Sequence, residues 1–573
     1  MSTWKVFSKI KISDPRYAKL KNNSEINSLI LQILANRNIK NPKEIEDFLF
    51  SKNLYDPFLF SQMEKVVDLI IQHIKAQNKI LIYGDYDVDG ATSIAVLTET
   101  MRTLHAQVDF YVPDRVEEGY GLHQHVIDKL SEQDIKLLIT VDLGIRNKKE
   151  VAYARAQGLD VIVTDHHRND VLTDLPDCPI VNAVLPNETY PFKYLAGVGA
   201  AYKLACALIQ KSKLITESKK ILESRILDLV AIGSIADCVP LFGENRKLVR
   251  AGLEILNKNK RLGVYELIKI ANGTKKEIKK QDAWNIGFQI GPRLNAAGRM
   301  ESAVCAVKLL LTKSSEEACE LAQKLNKQNL ERQELTKRIQ AETEAQIAKQ
   351  DANNKIIIAI SPKENPWEEG VIGLVAGRLM EKYYQPVLVL TRTTDGYKGS
   401  GRSIAEFNII EALEKCAENL LKYGGHPAAC GFALKSENLE KFKKSIQKLA
   451  QVSLAQKILA PTIKIDAKLE ISDLSEELVT NLDILAPFGQ DNPQPVFVSY
   501  NISIRDIMVM GAQGEHIKFR FENFWAISFH SQDKYNDFKI GDAVDLVYYL
   551  EINTFQNKRE VQMKIVDMQM HSK

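Results

Sequence analysis

Acidic and imidazole side chains recur at four places in the first half of this 573-residue chain. Asp85, Asp87 and Asp89 stand in Gly84-Asp85-Tyr86-Asp87-Val88-Asp89-Gly90, followed by Asp142, then Asp165-His166-His167, then Asp237. Each of the first three groups comes directly after an apolar run, at residues 79–83, 135–141 and 159–164. In an open parallel sheet, ligands gather in the crevice beyond the carboxyl ends of the strands. Carboxylates and imidazoles converging there would repel one another unless cations lay between them. Mixed oxygen and nitrogen donors suit Mn²⁺ or Mg²⁺, with histidine favouring Mn²⁺. Two such divalent ions, bridged by one carboxylate, would activate a water and neutralise a phosphoryl group under attack. Metal-assisted phosphoester hydrolysis is therefore the leading reaction class.

The segments have blander readings. Asp85-x-Asp87-x-Asp89-Gly90 resembles the start of a calcium loop, but the twelfth position is Val96 rather than the bidentate Glu such a loop needs. An apolar strand precedes the segment where that loop needs a helix. A polar turn with solvated aspartates remains the alternative. Asp142 alone is weak, whereas tandem histidines beside an acid after a buried strand seldom serve packing alone. Asp237 ends the apolar run 227–236, where a carboxylate opposes the helix dipole and a metal would offset it.

The elements that must position these groups follow from periodicity. From residue 79 strand-like and helical patterns alternate, which argues a doubly wound α/β domain. We divide the chain into an N-terminal helical segment (1–75) packing on the first domain, a metal-binding domain (76–313), a connecting helix (314–351), a second α/β domain (352–452) and a β-barrel like an OB-fold (453–573). The connecting segment has no Pro or Gly and is rich in Glu, Lys, Gln, Ala and Leu, as one long solvated helix would be. A bundle helix is its alternative. Gly424-Gly425-His426 reads as a glycine-rich turn, and the short alternating strands after residue 453 suggest the small barrel.

Composition is that of an ordinary globular protein, 45% hydrophobic and 26% charged, and the net charge of +3 is too small to argue for nucleic acid by itself. The seven cysteines are scattered without a Cys-x-x-Cys pair, which disfavours zinc ribbons and disulfide frameworks. The N-terminus has no apolar signal core and no run of 18 apolar residues occurs, so a cytoplasmic chain without membrane spans is expected.

A phosphoester enzyme also needs cations for its substrate. Arg293 and Arg299 flank a small-residue turn, Ser400 and Arg402 lie in a glycine-bracketed one, and Arg115 precedes Glu117-Glu118-Gly119-Tyr120. All could bind phosphates, or the arginines could cap helix carbonyls. Gly424-Gly425-His426 would let backbone approach a phosphate closely, or be only a tight turn. Phe519, Phe521, Phe524, Trp525 and Phe529 could stack bases in a barrel, although the alternation of Phe519 and Phe521 fits barrel core better.

Taken together, Gly-Asp-Tyr-Asp-Val-Asp-Gly, Asp-His-His and Gly-Gly-His resemble the DHH/DHHA1 phosphoesterase superfamily, and within it the bacterial exonucleases specific for single-stranded DNA. Glu118-Gly119-Tyr120-Gly121-Leu122, Ala236-Asp237-Cys238-Val239-Pro240-Leu241, Pro292-Arg293-Leu294-Asn295-Ala296-Ala297-Gly298-Arg299, Ser400-Gly401-Arg402-Ser403 and Pro487-Phe488-Gly489 support it. The resemblance runs from about residue 50 to the C-terminus. It implies Asp85, Asp87, Asp89, Asp142, His166 and Asp237 as metal ligands, with Asp142 bridging. His167 would stand beside them, donating to a phosphate oxygen or orienting the water. Arg115, Arg293, Asn295, Arg299, Arg378, Ser400, Arg402, Gly424, Gly425 and His426 would bind substrate. Where the family often has Trp-His-x-Gly, this chain has Trp367-Glu368-Glu369-Gly370; Cys430 is a milder departure.

The implied activity is 5′-to-3′ hydrolysis of single-stranded DNA to nucleoside 5′-monophosphates in repair and recombination. A single-strand-binding protein and a helicase are the implied partners, and a monomer the implied state. The rivals are a relative acting on short oligoribonucleotides or cyclic dinucleotides, and an inactive DNA-binding scaffold of replication. The terminal barrel argues against the first, and the filled ligand positions against the second.

Overall fold

In a computed structural model, the chain is described over residues 2–9, 26–115, 117–169, 171–258, 261–273, 278–351, 353–457, 459–511, 514–555 and 558–572. Strand β1 is Thr3–Val6. The first α/β sheet comprises β2 (Lys79–Gly84), β3 (Gln107–Tyr111), β4 (Ile135–Val141), β5 (Asp160–Thr164) and β6 (Ile180–Val181), all parallel in the order β3-β2-β4-β5-β6. Strands buried on both faces read as continuous apolar runs, and β4 (Ile-Lys-Leu-Leu-Ile-Thr-Val) is buried everywhere but Lys136. The helices Val88–Thr103, Gly197–Lys211 and Leu227–Ala236 pack on one face. They are buried nearly all round because the first two lie between the sheet and Leu227–Ala236, which is covered in turn by the helix Gly243–Lys258.

The helix Ser315–Ile347 follows, and its buried residues (among them Ala318, Leu325, Thr336 and Ile339) show that one face is covered along its length rather than solvated. Its first half packs against the first domain through Leu325, and its second against the next sheet through Ile339. That sheet contains β7 (Ile357–Ile360), β8 (Val387–Thr393), β9 (Gly396–Arg402), β10 (Lys422–His426) and β11 (Ala429–Lys435) in the order β10-β11-β9-β8-β7. Gly424, Gly425 and His426 lie in the exposed edge strand β10, not in a turn. Their backbone pairs with Gly431, Cys430 and Ala429 of β11, and Pro427-Ala428 makes the reversal.

The remaining strands are β12 (Thr462–Ile465), β13 (Ala467–Lys468), β14 (Phe497–Ser503), β15 (Asp506–Met510), β16 (His516–Phe521), β17 (Phe524–Ser528), β18 (Ala543–Phe555) and β19 (Lys558–Met570). All but β12 form one seven-stranded sheet. Phe519 and Phe521 point into its core, as their alternation predicts.

The N-terminal segment divides between two bodies. Strand β1 pairs in parallel with β12, and Ile30, Leu34, Ile45 and Phe48 of the helices Ser28–Asn36 and Pro42–Phe50 share the core of the C-terminal sheet. Leu54, Phe58, Phe60 and the helix Met63–Lys75 join the first domain's core. The expectation that all of 1–75 packs on the first domain is corrected for residues 2–9 and 26–36, whereas the helix Pro42–Phe50 also bonds Lys247 and Arg250 of the first domain. The amphipathic pattern identifies a buried face but not its partner. Buried Arg246 joins all three parts, donating to the carbonyls of Phe48, Ile484 and Leu485.

Candidate metal centre and arginine-lined cleft

The chain leaves β2 toward β3 on one side and continues with β4 on the other, so the crevice between β2 and β4 is the switch point of the sheet. Asp85 follows β2, Asp142 follows β4, and Asp165-His166-His167 follows β5. Asp87 caps the helix Val88–Thr103, its side chain accepting from the Gly90 amide at 3.0 Å. Asp89, in the first turn, accepts from the amides of Gly197 and Val198 at 2.7 and 2.8 Å, so one carboxylate joins the N-termini of two helices. Gly233 permits this closeness. A Cβ there would come within 2.2 Å of Thr92 Oγ1 and 3.1 Å of Asp89 Oδ1. Asp142 adopts φ 61°, a left-handed conformation unusual outside glycine that tightly packed sites can impose.

These elements bring the acids together. His166 Nε2 lies 3.1 Å from Asp142 Oδ1 and 3.8 Å from both Asp89 Oδ2 and Asp237 Oδ2. Three sets have donor atoms within 4.8 Å of one another: Asp85, Asp87 and Asp142; Asp89, His166 and Asp237; Asp142, His166 and His167. Burial, then the repulsion of Asp89, Asp87, Asp85 and Asp237, holds the Asp142 carboxyl well above the usual range. Burial and Asp87 do the same to Asp85, and burial raises Asp89. Asp237, at the C-cap of helix Leu227–Ala236, is pushed up to about 8 by burial and by Asp89. Burial opposes charge on His166, but Asp237 and Asp89 outweigh it and raise its pKa.

Asp165 has another job. Burial opposes its ionisation, yet the hydrogen bond from His167 holds its pKa low. Its oxygens accept from the amides of Ile145, His166 and His167, and Oδ1 lies 2.8 Å from His167 Nδ1. With Nδ1 donating there, Nε2 is the ring nitrogen left for other partners. Tyr120 borders the same ring, its hydroxyl 3.3 Å from His167 Nδ1.

The donor set fits a pair of hard divalent cations. Asp85 Oδ1 is buried without a hydrogen-bond partner, and Asp142 Oδ1 is buried with only the His166 ring beside it, at 3.1 Å; buried carboxylate oxygens of that kind are costly unless a cation takes them. Five carboxylates with imidazole match Mn²⁺ or Mg²⁺ rather than a thiolate-seeking metal.

The arginines line the opposite wall. Arg299 donates Nη1 to the Gly370 carbonyl at 2.7 Å, reaching from the first domain to the start of helix Glu369–Tyr383 in the second. Burial, then Arg115 and Arg332, with a smaller contribution from Arg402, lowers its pKa to about 9, so three further guanidiniums lie near enough to repel it. Arg115 lies over the Tyr86 ring at 4.9 Å. Arg293 is partly committed to the Gln289 carbonyl and Asn326, the capping alternative in part. Asn295 accepts from the Val88 amide at 3.1 Å, which makes it a support of the acidic loop. Arg378 neighbours Arg332.

Ser400 and Arg402 stand on the face of β9 turned to helix Glu369–Tyr383, where Gly373 lets the helix approach; a Cβ there would lie 3.0 Å from Ser400 Oγ. Across the sheet Ser400 is level with Gly431, and Gly431 with Gly424. A Cβ on either glycine would meet nothing within 4 Å, so a bare backbone floor adjoins Ser400. Gly425, at φ 146°, backs onto the Ala429 carbonyl, and His426 is exposed at the strand end. Glu368 is held by Arg338 of the connecting helix at 3.1 Å. Sequence reasoning misses Arg332 and Tyr120: one is hidden in a polar helix, and the other stands in a glycine-flanked motif with no local sign of its partner.

A switch-point acid cluster followed by a second, clamping α/β domain defines the DHH class of proteins. Residues 79–234 match the model described as "DHH family, N-terminal domain", 353–451 the "DHHA1 domain" and 465–567 the "RecJ OB domain". Over 569 residues the chain is 37% identical to the single-stranded-DNA-specific exonuclease RecJ of Bacillus subtilis (strain 168), spanning 97% of this chain and 70% of that one. The enzyme of that name from Haemophilus influenzae is 33% identical, spanning 97% and 98%. The crystal structure of RecJ in complex with Mn²⁺ from Thermus thermophilus superposes with a TM-score of 0.84 at 26% identity, covering all of this chain and 80% of that one. The chain belongs to the RecJ family.

Proposed function

We propose that the chain is a metal-dependent exonuclease that hydrolyses single-stranded DNA from the 5′ end and releases nucleoside 5′-monophosphates. The observation that carries this reading is the opposition of an unsatisfied acid cluster and a guanidinium-lined wall across one cleft. Asp85, Asp87, Asp89, Asp142, His166 and Asp237 would hold two Mn²⁺ or Mg²⁺ ions, with Asp142 shared between them. When bound, such ions neutralise phosphoryl charge and lower the pKa of a water. The chain's own residues do the rest. Asp165 fixes the His167 ring so that its Nε2 can accept from and orient a water or, when the ring carries a second proton, donate to a phosphate oxygen. Arg299, Arg332 and Arg115 hold backbone phosphates, and Ser400 with Arg402 receives the terminal phosphate beside the glycine floor. Gly424, Gly425 and His426 border that pocket.

The membership and the domain set support repair and recombination as the context, with a single-strand-binding protein and a helicase as partners. No helix among the described residues is long and apolar enough to cross a membrane, which fits work on cytoplasmic DNA. The test is incubation of 5′- and 3′-labelled single strands with Mn²⁺ and with chelator. Release of the 5′ label as mononucleotide, abolished by chelator, is expected; release from the 3′ end first, or turnover in chelator, refutes the reading.

A further inference from the structure

Glu118 lies outside the acid cluster, and its carboxylate is committed to its own chain. Oε1 and Oε2 accept from the Tyr111 hydroxyl at 2.9 and 3.1 Å, and Oε2 from the Asp114 amide at 2.7 Å. Oε1 also lies 2.7 Å from His125 Nε2. Tyr111 ends β3, and His125 stands in the first turn of the helix Gln124–Glu132, so one side chain ties the sheet to the helix that follows. Burial opposes its ionisation, yet the Asp114 amide, His125 and Tyr111 hold its pKa low. With its side chain 11% exposed, Glu118 is an enclosed anchor rather than a solvated surface charge.

Backbone bonds close the same turn. The amides of Glu118 and Gly119 both donate to the Asp114 carbonyl at 2.9 Å, and the Glu117 amide donates to Asp114 Oδ1 at 2.9 Å. Two residues that reach the cleft flank this closure. Arg115, next to Asp114, sets its guanidinium over the Tyr86 ring of the acidic loop. Tyr120, two residues after Glu118, places its hydroxyl 3.3 Å from His167 Nδ1 and 3.4 Å from the Asp142 carbonyl. Its ring meets that of His167 edge-on, with centroids 5.7 Å apart. Gly119 at φ 84° and Gly121 at φ 103° bracket Tyr120, in a backbone region that only glycine enters at no steric cost. Beyond these hinges the Tyr83 hydroxyl holds the Gly121 carbonyl at 3.1 Å. Before them the turn is held by Glu118.

We propose that Glu118 is a positioning residue: by closing this turn it sets Arg115 against the strand's phosphates and Tyr120 against His167. Phosphate binding and water orientation are then aligned by one carboxylate that touches neither. The inference rests on the exonuclease reading and deepens it. Without the carboxylate, the Tyr111 hydroxyl and the Asp114 amide lose their acceptor, and the two glycines give Tyr120 the freedom to drift. A misplacement of about 1 Å is enough to cost roughly a hundredfold in rate.

The test is a pair of double-mutant cycles on the full chain. The first is read by anisotropy in chelator, on a fluorescent oligo-dT. There Glu118→Ala should weaken binding several-fold and reduce the slope of log affinity against log salt by about 0.7, one phosphate contact on a single strand. In an Arg115→Ala background the same change should leave the slope where Arg115→Ala alone puts it. The second is read as turnover of saturating strand in Mn²⁺. Glu118→Ala should lower kcat by roughly tenfold to a hundredfold, but by less than about twofold in a Tyr120→Ala background. Glu118→Gln keeps an acceptor oxygen and should recover most of both losses. Should Glu118→Ala fail to fold, Tyr111→Phe/His125→Ala strips the carboxylate of two partners and takes its place in both cycles. Additive losses in either background overturn the proposal, as do parent-like behaviour of Glu118→Ala and failure of the glutamine to restore. A parent chain that binds the strand without hydrolysing it refutes the nuclease reading alone, because the slope comparison is made without turnover.

Discussion

The carboxylates that converge beyond β2, β4 and β5 are buried and short of partners, whereas four of the nearby guanidiniums are already tied to a carbonyl or amide of their own protein. Asp85 keeps an oxygen without a donor and Asp142 one that faces only the His166 ring, while Arg293, Arg299, Arg332 and Arg402 donate to Gln289, Gly370, Asn329 and Gly401. An unpaired buried anion raises its pKa or captures a cation. A guanidinium anchored through one nitrogen keeps its other donors fixed in direction. One wall is thus built to acquire charge from outside, and the other to present it.

Removing the shared acid should break that contrast most sharply. Asp142→Ala should lower hydrolysis of a labelled single strand by about 10³-fold or more, given the several kcal/mol that metal ions supply. Affinity measured in chelator should change little, because the arginine wall is untouched; a matching loss of affinity would mean that the two walls do not divide the work.

The charge economy of the acid wall predicts a pH signature. In the metal-free chain the Asp85, Asp89, Asp142 and Asp237 carboxyls sit above their unfolded values, Asp237 at about 8. Groups raised in this way hold extra protons in the folded state, so their contribution is present at low pH and is lost as pH rises through the folded pKa. Cations compete with those protons. The increase in melting temperature produced by Mn²⁺ should therefore grow between pH 5 and 8. Differential scanning fluorimetry at fixed Mn²⁺ would show it, and a constant increment would mean that these carboxyls do not bind the ion.

On the opposite wall, losses should be graded. Arg402→Ala should reduce the preference for a 5′-phosphorylated over a 5′-hydroxyl end by roughly tenfold to a hundredfold, the worth of a charged hydrogen bond. Competition between the two ends measures it, and an unchanged ratio removes Arg402 from the end pocket. Arg332→Gln should raise KM for long strands several-fold and reduce the slope of log affinity against log salt by about 0.7, one phosphate contact on a single strand. Smallest of all, Glu368→Gln loses a half-exposed pair with Arg338 and should shift unfolding free energy by at most about 0.5 kcal/mol.

The acid cluster was legible because its signal is local. Each group stands at the end of an apolar strand, and a parallel sheet has one place where such ends meet. Asp165 shows the limit of that logic. It stands in the motif beside two histidines, yet its oxygens are spent on amides and on His167. Asn295, which reads as substrate-facing, also steadies Val88 through its amide oxygen. The partner of a polar side chain depends on which residues folding brings beside it, 20 positions away for Asp165 and Ile145 and 207 for Asn295 and Val88. Gly424 to His426 misled for another reason: glycines signal turns in isolation, but here β11 supplies the ladder that makes them an edge strand.

What the residues alone determined was the doubly wound sheet, the acid and imidazole groups at its carboxyl edge, and the preference for divalent ions, because strand periodicity and ligand chemistry act over a few neighbouring positions. Only the folded chain decided which cations share the cleft, that the N-terminal helices belong to the C-terminal sheet, and that Tyr120 reaches His167. Those outcomes are set by packing between segments far apart along the chain, where an amphipathic face says that it must be covered but not by what.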